Sequence, residues 1–326
     1  MMAINTVKQI FIAGGYGMIG SNLATQLRAL FPHVALILAG RSPEKGEALA
    51  QKLGNAFTAS LDLVHAEIPQ LAAMSQLIVS AVPDPKHALG EFAIRHNIAF
   101  IDITVGTADG YAPLLNMAMR YQPTSPVVPL GYYEAGMFLP LVDKISRHFS
   151  SINTVRLTAL HDPEDPIGAI TALELYQELP PAFVREAGFW RYSTQQSDIS
   201  LASGECVETT PFGILDVSAV AAMTCADNIR LDVAMGTSEG KRTSDKASIE
   251  LYVDVQGVNL SGVTESRRII ASDPQGQAHF TALGIATVIE ALFESPLQGF
   301  IFPEQVLKTE VALTAMQNAG VTLIQP

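Results

Sequence analysis

The chain has 326 residues, 48% hydrophobic and 16% charged, enough for two domains with a large buried core. A formal net charge of -12, from 32 acids against 20 lysines and arginines, argues against a general nucleic-acid surface, which needs a basic patch. Two cysteines, Cys206 and Cys225, make neither a disulfide scaffold nor a zinc site; MMAINTVKQ lacks signal-peptide features and no apolar run approaches the ~20 residues of a membrane helix, so a cytoplasmic protein without membrane partners is expected.

Val7, Ile10, Phe11, Ile12 and Ala13 form a short apolar run that fits a strand buried on both faces of a parallel sheet. GGYGMIG follows, and then Ile19, Leu23, Leu27, Leu30 and Phe31 recur at helical spacing. The glycines therefore occupy a strand-to-helix turn. Gly15, Gly17 and Gly20 fit G-x-G-x-x-G, and Gly14, Gly17 and Gly20 fit the G-x-x-G-x-x-G variant. Bare backbone there admits a pyrophosphate to the helix N-terminus, and Gly20 lets helix and strand pack closely, so Gly14 to Gly20, with Tyr16, Met18 and Ile19, are assigned to a dinucleotide. The alternative is a tight turn in some other α/β domain.

VALILAG (34–40) reads as a second buried strand, after which Ser42 as N-cap, Pro43 and Glu44 open a helix that Gly54 closes. NAFTASL is a weaker third strand, QLIVSAVP (76–83) a fourth, HALGEFAIRHN a helix and IAFIDIT (98–104) a fifth strand. This β-α repetition specifies an α/β fold with a Rossmann-type doubly wound parallel sheet over residues 1–125. Arg41 and Ser42 stand at the end of the second strand, where an NAD site usually carries an acid. An arginine fork holds a 2′-phosphate, so this end favours NADP(H); an ordinary surface arginine is the alternative. Asp62 is placed either at the adenine amine or as a helix cap, and Val82 and Pro83 lie along the nicotinamide ribose as shape.

Residues 126–274 read as a second, mixed α+β domain. NTVRLTALH, RLDVAMG, ASIELYVDVQG and GVTESRRIIASD are strands and GAITALELYQEL (168–179) a helix. In ASIELYVDV the alternation predicts an antiparallel strand with one solvated face. DPQG (273–276) is a turn, followed by an apolar helix through Phe280, Leu283, Ile285, Val288, Leu292 and Phe293, and a last amphipathic helix ends at Gly320; residues 275–326 are expected to return to the first domain.

On GGYGMIG, LAGRSPEKGEALAQKLG, SQLIVSAVP and AFIDIT, the chain resembles the saccharopine dehydrogenase (reductase) family of the NADP-binding, L-glutamate-forming type. The resemblance covers the first 125 residues well and beyond them is one of layout. Where that family tends to carry Asp-Pro-Gly in a turn, this chain has Glu134-Ala135-Gly136. It implies an NADP-binding fold, amine or imine redox chemistry on a small-molecule substrate, and a substrate domain at 126–274 that also makes a homodimer.

No tyrosine has a lysine four residues later, so the short-chain dehydrogenase dyad is missing, and no H-E-x-x-H or cysteine cluster supports zinc chemistry. Catalytic candidates are Asp102, with Thr104 beside it, and His161, which could donate a proton near neutral pH; the competing descriptions are an N-cap or turn-former for Asp102 and a partly exposed loop histidine for His161. Tyr133 and Glu134, in the glycine-bearing turn, are expected to enter the cleft between domains, with turn geometry alone as the alternative. Arg156, Arg185, Arg191, Arg230, Arg267 and Arg268 are the pool for substrate carboxylates, with Trp190 between two of them and Arg267 and Arg268 on opposite faces. Three readings are open: an NADPH-dependent oxidoreductase acting on a C–N bond, a non-catalytic NADP(H) sensor, and a scaffold without cofactor.

Overall fold

Strong β-formers flanked by glycine and proline set the first layer. In the computed structural model, which describes residues 7–168, 180–295 and 297–325, the chain divides into two compact units, Met1–Ala135 with Ala282–Leu307, and Gly136–Thr281 with Lys308–Pro326. The first carries β1 (Gln9–Ala13), β2 (Ala35–Gly40), β3 (Ala56–Ser60), β4 (Leu77–Ser80), β5 (Ala99–Asp102), β6 (Pro126–Pro129) and β15 (Gly299–Phe300). All pair in parallel, in the order β15-β6-β5-β4-β1-β2-β3. This is a Rossmann-type doubly wound sheet, with its switch between β1 and β4. Phe11, opposite Ile37 and Ile78, is fully buried, because helices leave a central parallel strand no solvated face.

Helix α1 (Met18–Leu30) buries Leu23, Ala24 and Leu27. The Ser42 side chain makes no cap: Pro43–Gly46 is a 3₁₀ turn and α2 (Glu47–Leu53) starts after it. Helices α3 (Gln70–Ala73), α4 (Ala88–Arg95) and α5 (Ala108–Tyr121) complete the sequential crossovers. β6 lies beyond the expected boundary at 125, since its apolar PVVP pairs with β5.

The second unit is built on a mixed sheet, in the order β10-β11-β12-β7-β13-β14-β16. Its members are β7 (Phe149–His161), β10 (Ser197–Ser200), β11 (Cys206–Pro211), β12 (Asn228–Met235), β13 (Ile249–Asn259), β14 (Thr264–Asp273) and β16 (Thr322–Ile324); β8 (Ala182–Glu186) and β9 (Phe189–Ser193) form a hairpin beside β12. Helices α6 (Phe138–Ser146) and α7 (Asp216–Thr224) pack on this sheet, α8 (Glu239–Ser244) follows β12, and α9 (Gln277–Glu294) crosses the unit boundary.

Two further expectations need correction. The C-terminal segment does not return whole to the first unit: α10 (Thr309–Asn318) packs on α6, and β16 adds an antiparallel strand to β14. The face of β13 expected to meet solvent is buried, with Glu250 and Tyr252 fully enclosed, because the Tyr252 hydroxyl bonds Glu250 and apolar residues of β10 and β14 pack over the ring. The helix read at 168–179 lies outside the described residues but for Gly168.

Candidate cofactor-binding site

The turn from β1 into α1 is built almost without side chains. Gly14 has φ of +81°, and Val82 Cγ1 stands 2.7 Å from the place a Cβ on Gly14 would take. A Cβ on Gly15 would come 2.7 Å from Leu38 Cα, and one on Gly20 would overlap the Gly14 carbonyl. These glycines let strand, loop and helix touch. Gly17 differs: it is exposed, and a Cβ there would meet only the Gly14 carbonyl oxygen, at 3.2 Å. No side chain caps α1 and its first turn holds no acid, so its N–H groups and dipole favour an anion. Bare backbone at Gly17 and this helix end suit a pyrophosphate, which is the geometry a dinucleotide requires.

The neighbouring strand end carries the polar groups. Arg41 is exposed, and among the described residues its guanidinium has no hydrogen bond or ion pair. The backbone N–H of Ser42 donates to Tyr16 Oη at 2.9 Å. Asp62 is engaged in its own turn: it accepts from Val64 N at 2.9 Å and His65 N at 3.3 Å and pairs with His65 Nδ1 at 2.8 Å. That bond holds Asp62 below, and His65 above, its ordinary pKa. Val82 closes over Gly14, whereas Pro83 is exposed.

Asp102, the last residue of β5, is 1% exposed. Its Oδ1 accepts from Thr104 N at 2.8 Å and Thr104 Oγ1 at 2.7 Å, so it forms its turn and is also buried. Burial, with the Asp84 charge adding to it, outweighs the Thr104 bonds and lifts its pKa to about 6. Such a carboxyl can hold or release a proton near neutrality. Asp84, which the sequence does not single out, accepts the N–H groups of Ala88 and Leu89 at the start of α4. The glycine loop, Arg41, Asp62, Val82 and Asp102 all lie at or just beyond the carboxyl ends of parallel strands, the edge where open α/β sheets bind ligands. In the nearby turn, Glu134 is buried and, with Ala135, left-handed, at φ of +43° and +51°.

In the second unit, His161 is not a loop residue. It ends β7 at 1% exposure, and burial lowers its pKa to about 4, so the ring is neutral at pH 7 and carries no charge to give up there. Near it in sequence, Asp162 accepts from Ser238 N and Oγ at 2.9 and 2.8 Å. Burial pushes Asp162 up, yet the N–H groups of Glu164 and Ser238, the Ser238 hydroxyl and the Lys241 charge hold it below its usual value. Asp165 Oδ2 accepts from Gln277 N at 2.8 Å, and burial raises its pKa. Asp273, fully buried, takes Nδ1 of His279 at 2.7 Å, an ion-pair geometry that fixes the imidazole ring. Sequence reasoning misses this couple; its signal is the turn DPQG with a histidine in the first turn of the next helix.

Most of the arginine pool serves the sheet. Arg156 Nε and Arg230 Nη2 pair with buried Asp232 at 3.0 and 2.6 Å, Arg267 with Glu265 at 2.6 Å, and Arg268 with Asp254 at 2.6 Å. Arg185 lies 5.6 Å from the Trp190 ring centroid, and Arg191 is exposed on the same hairpin. Those two are the members of the pool outside any salt bridge among the described residues.

Among solved structures, saccharopine dehydrogenase (L-Glu forming) from Saccharomyces cerevisiae superposes with a TM-score of 0.69 at 11% identity, over 98% of this chain and 100% of that one. The chain has a saccharopine dehydrogenase-like fold. GenD2 of gentamicin A biosynthesis, solved with NAD, follows at 0.50 and 13% identity over 98% and 96%, and a "probable dehydrogenase" from Thermotoga maritima at 0.51 and 11% over 97% and 98%. No family model and no curated protein matches the chain. Among the described residues, no helix is long and apolar enough to cross a membrane.

Proposed function

We propose that the protein is an NADPH-dependent oxidoreductase that acts on a carbon–nitrogen bond of an amino acid or imine. The observation that carries this reading is the pairing of an open glycine loop with an acid-free strand end: Gly17 and the uncapped α1 N-terminus suit the pyrophosphate, and exposed Arg41 suits a 2′-phosphate that a carboxylate would repel. The nicotinamide would supply the hydride. The chain's residues must hold the ring and exchange a proton at nitrogen, and Asp102, with a pKa of about 6, is the group on the sheet edge poised for that exchange. The Asp273–His279 couple is a second pairing of an acid with its neighbour, in the other unit. The reading includes a cytoplasmic homodimer, the dimer being what the family resemblance implies, and light scattering on purified protein checks it.

The test is a pair of binding isotherms, NADPH and NADH, on wild type and Arg41→Ala, followed by NADPH consumption with mixtures of amino acids and oxoacids. Preference for NADPH that disappears in the variant, with turnover, supports the reading. Binding without consumption of either nucleotide favours a sensor, and no binding sinks both.

A further inference from the structure

We infer that Tyr16 distinguishes a 2′-phosphate from a 2′-hydroxyl at this site, by holding the Arg41–Ser42 turn and giving its own phenol proton to the phosphate. The inference rests on the reading of this strand end as an NADPH site. Its ground is the way the ring is seated. A Cβ on Gly40 would stand 2.6 Å from Tyr16 Cζ and closer still to Oη, and a Cβ on Gly46 would stand 2.7 Å from Tyr16 Cδ1. Two glycines, at the end of β2 and in the turn after it, are thus bare where the ring rests.

Seated there, the phenol oxygen accepts the Ser42 N–H at 2.9 Å. A phenol that accepts one hydrogen bond still has one proton to donate. Tyr16 is half-buried, so the side chain is not sealed from solvent. The turn it fixes carries Arg41, exposed and without an ion-pair partner among the described residues. A phosphate dianion is acceptor-only and gains charge-assisted bonds from both guanidinium and phenol. A ribose hydroxyl is neutral and gains from neither in the same measure. Tyr16 is also well placed for this role, because it belongs to the glycine loop while its hydroxyl reaches the end of the second strand, where the ribose of a dinucleotide is read. One side chain thereby joins the pyrophosphate and ribose ends of the site.

The test titrates NADPH and NADH into the full chain as wild type, Tyr16→Phe, Gly40→Ala and Arg41→Ala, with melting curves to establish folding. Tyr16→Phe keeps the ring on its glycines and removes only Oη. It is expected to weaken NADPH about tenfold while NADH changes less than about twofold, contracting the preference. Gly40→Ala, which displaces the ring by its added methyl, should contract the preference in the same direction. If wild type prefers NADPH and loses that preference in Arg41→Ala but keeps it in Tyr16→Phe, Arg41 alone reads the phosphate and the inference about Tyr16 is overturned. If wild type binds neither nucleotide, or both alike, the underlying assignment of an NADPH site falls and takes the inference with it.

Discussion

The Gly14 carbonyl and the Gly20 α-carbon leave no room for a side chain between them: a Cβ on Gly20 would sit 2.8 Å from the Gly14 carbonyl carbon and nearer still to its oxygen. Gly20→Ala must therefore open the β1–α1 turn, at a cost of about 2–3 kcal/mol typical of forced overpacking. Gly17→Ala meets the same oxygen at 3.2 Å from an exposed position, so it should melt close to wild type. Its methyl nevertheless projects from the bare backbone that a pyrophosphate needs. Melting curves with an NADPH titration separate the two: low stability for Gly20→Ala, weak binding with ordinary stability for Gly17→Ala. Wild-type affinity in Gly17→Ala would remove the pyrophosphate from this loop.

Asp102 gives the first unit a pH signature. Its folded pKa of about 6 lies above the ordinary 3.8, so the stability linked to its proton is fully present below pH 3.8 and is lost as pH rises through about 6. Asp102→Asn keeps an acceptor for Thr104 and has no proton to lose. It should match wild type at pH 4 and exceed it at pH 8 by up to about 3 kcal/mol, the worth of a shift of about two pKa units. Urea unfolding at the two pH values measures this, and parallel curves for both proteins would show that burial does not raise this carboxyl.

The β1–α1–β2 segment is legible in the sequence because its two periods, the apolar run and the helical stripe, are separated by glycines that only one turn type explains. β2, buried but for its two end residues, and β4, buried throughout, are legible for the same reason: helix-covered parallel strands are apolar throughout. Local pattern fails where a partner distant in sequence decides. Pro113 stands inside α5 and hides it, and the prolines bounding β6 mask that strand, which is read as the start of the second domain. β16 pairs with a strand some fifty residues earlier, which no local spacing announces. The alternation in β13 correctly gives its two faces, yet whether the polar face meets water depends on what folds over it, and the Glu250–Tyr252 bond replaces solvent there. His161 looks like a loop residue because DPEDP follows it at once, whereas β7 runs through to the histidine itself.

Asp232 is where the sheet holds its buried charge. It has no exposed surface and stands between Arg156 Nε at 3.0 Å and Arg230 Nη2 at 2.6 Å, and Arg156 also donates to Asp198 O, Ser197 Oγ and Thr209 Oγ1. Removing the acid leaves two guanidiniums partly buried without their counter-charge. Asp232→Ala should therefore cost about 3–5 kcal/mol, more than removal of either arginine alone, because each of those leaves the carboxylate one partner. A urea midpoint close to wild type in Asp232→Ala would mean that the two arginines find water or other partners, and would return them to the pool available for substrate.

Gly284 sets two opposing effects against each other. In the interior of α9, replacing glycine by alanine ordinarily gains about 1 kcal/mol of helix propensity. Here the new Cβ would stand 2.9 Å from the Ala135 Cβ and closer to the Glu134 carbonyl oxygen. The turn it strikes cannot easily withdraw, since Glu134 and Ala135 are already left-handed, at φ of +43° and +51°, a conformation that holds only where the surroundings enforce it. The clash should outweigh the propensity, and Gly284→Ala should lose about 1–2 kcal/mol net of that gain. Adding Ala135→Gly removes the methyl–methyl contact and relieves one left-handed residue, so the double variant should recover part of the loss but not all, because the Glu134 carbonyl remains in the way. Melting temperatures of both variants decide between the two effects: a Gly284→Ala protein more stable than wild type would show that the turn yields and that its backbone is not held there by α9.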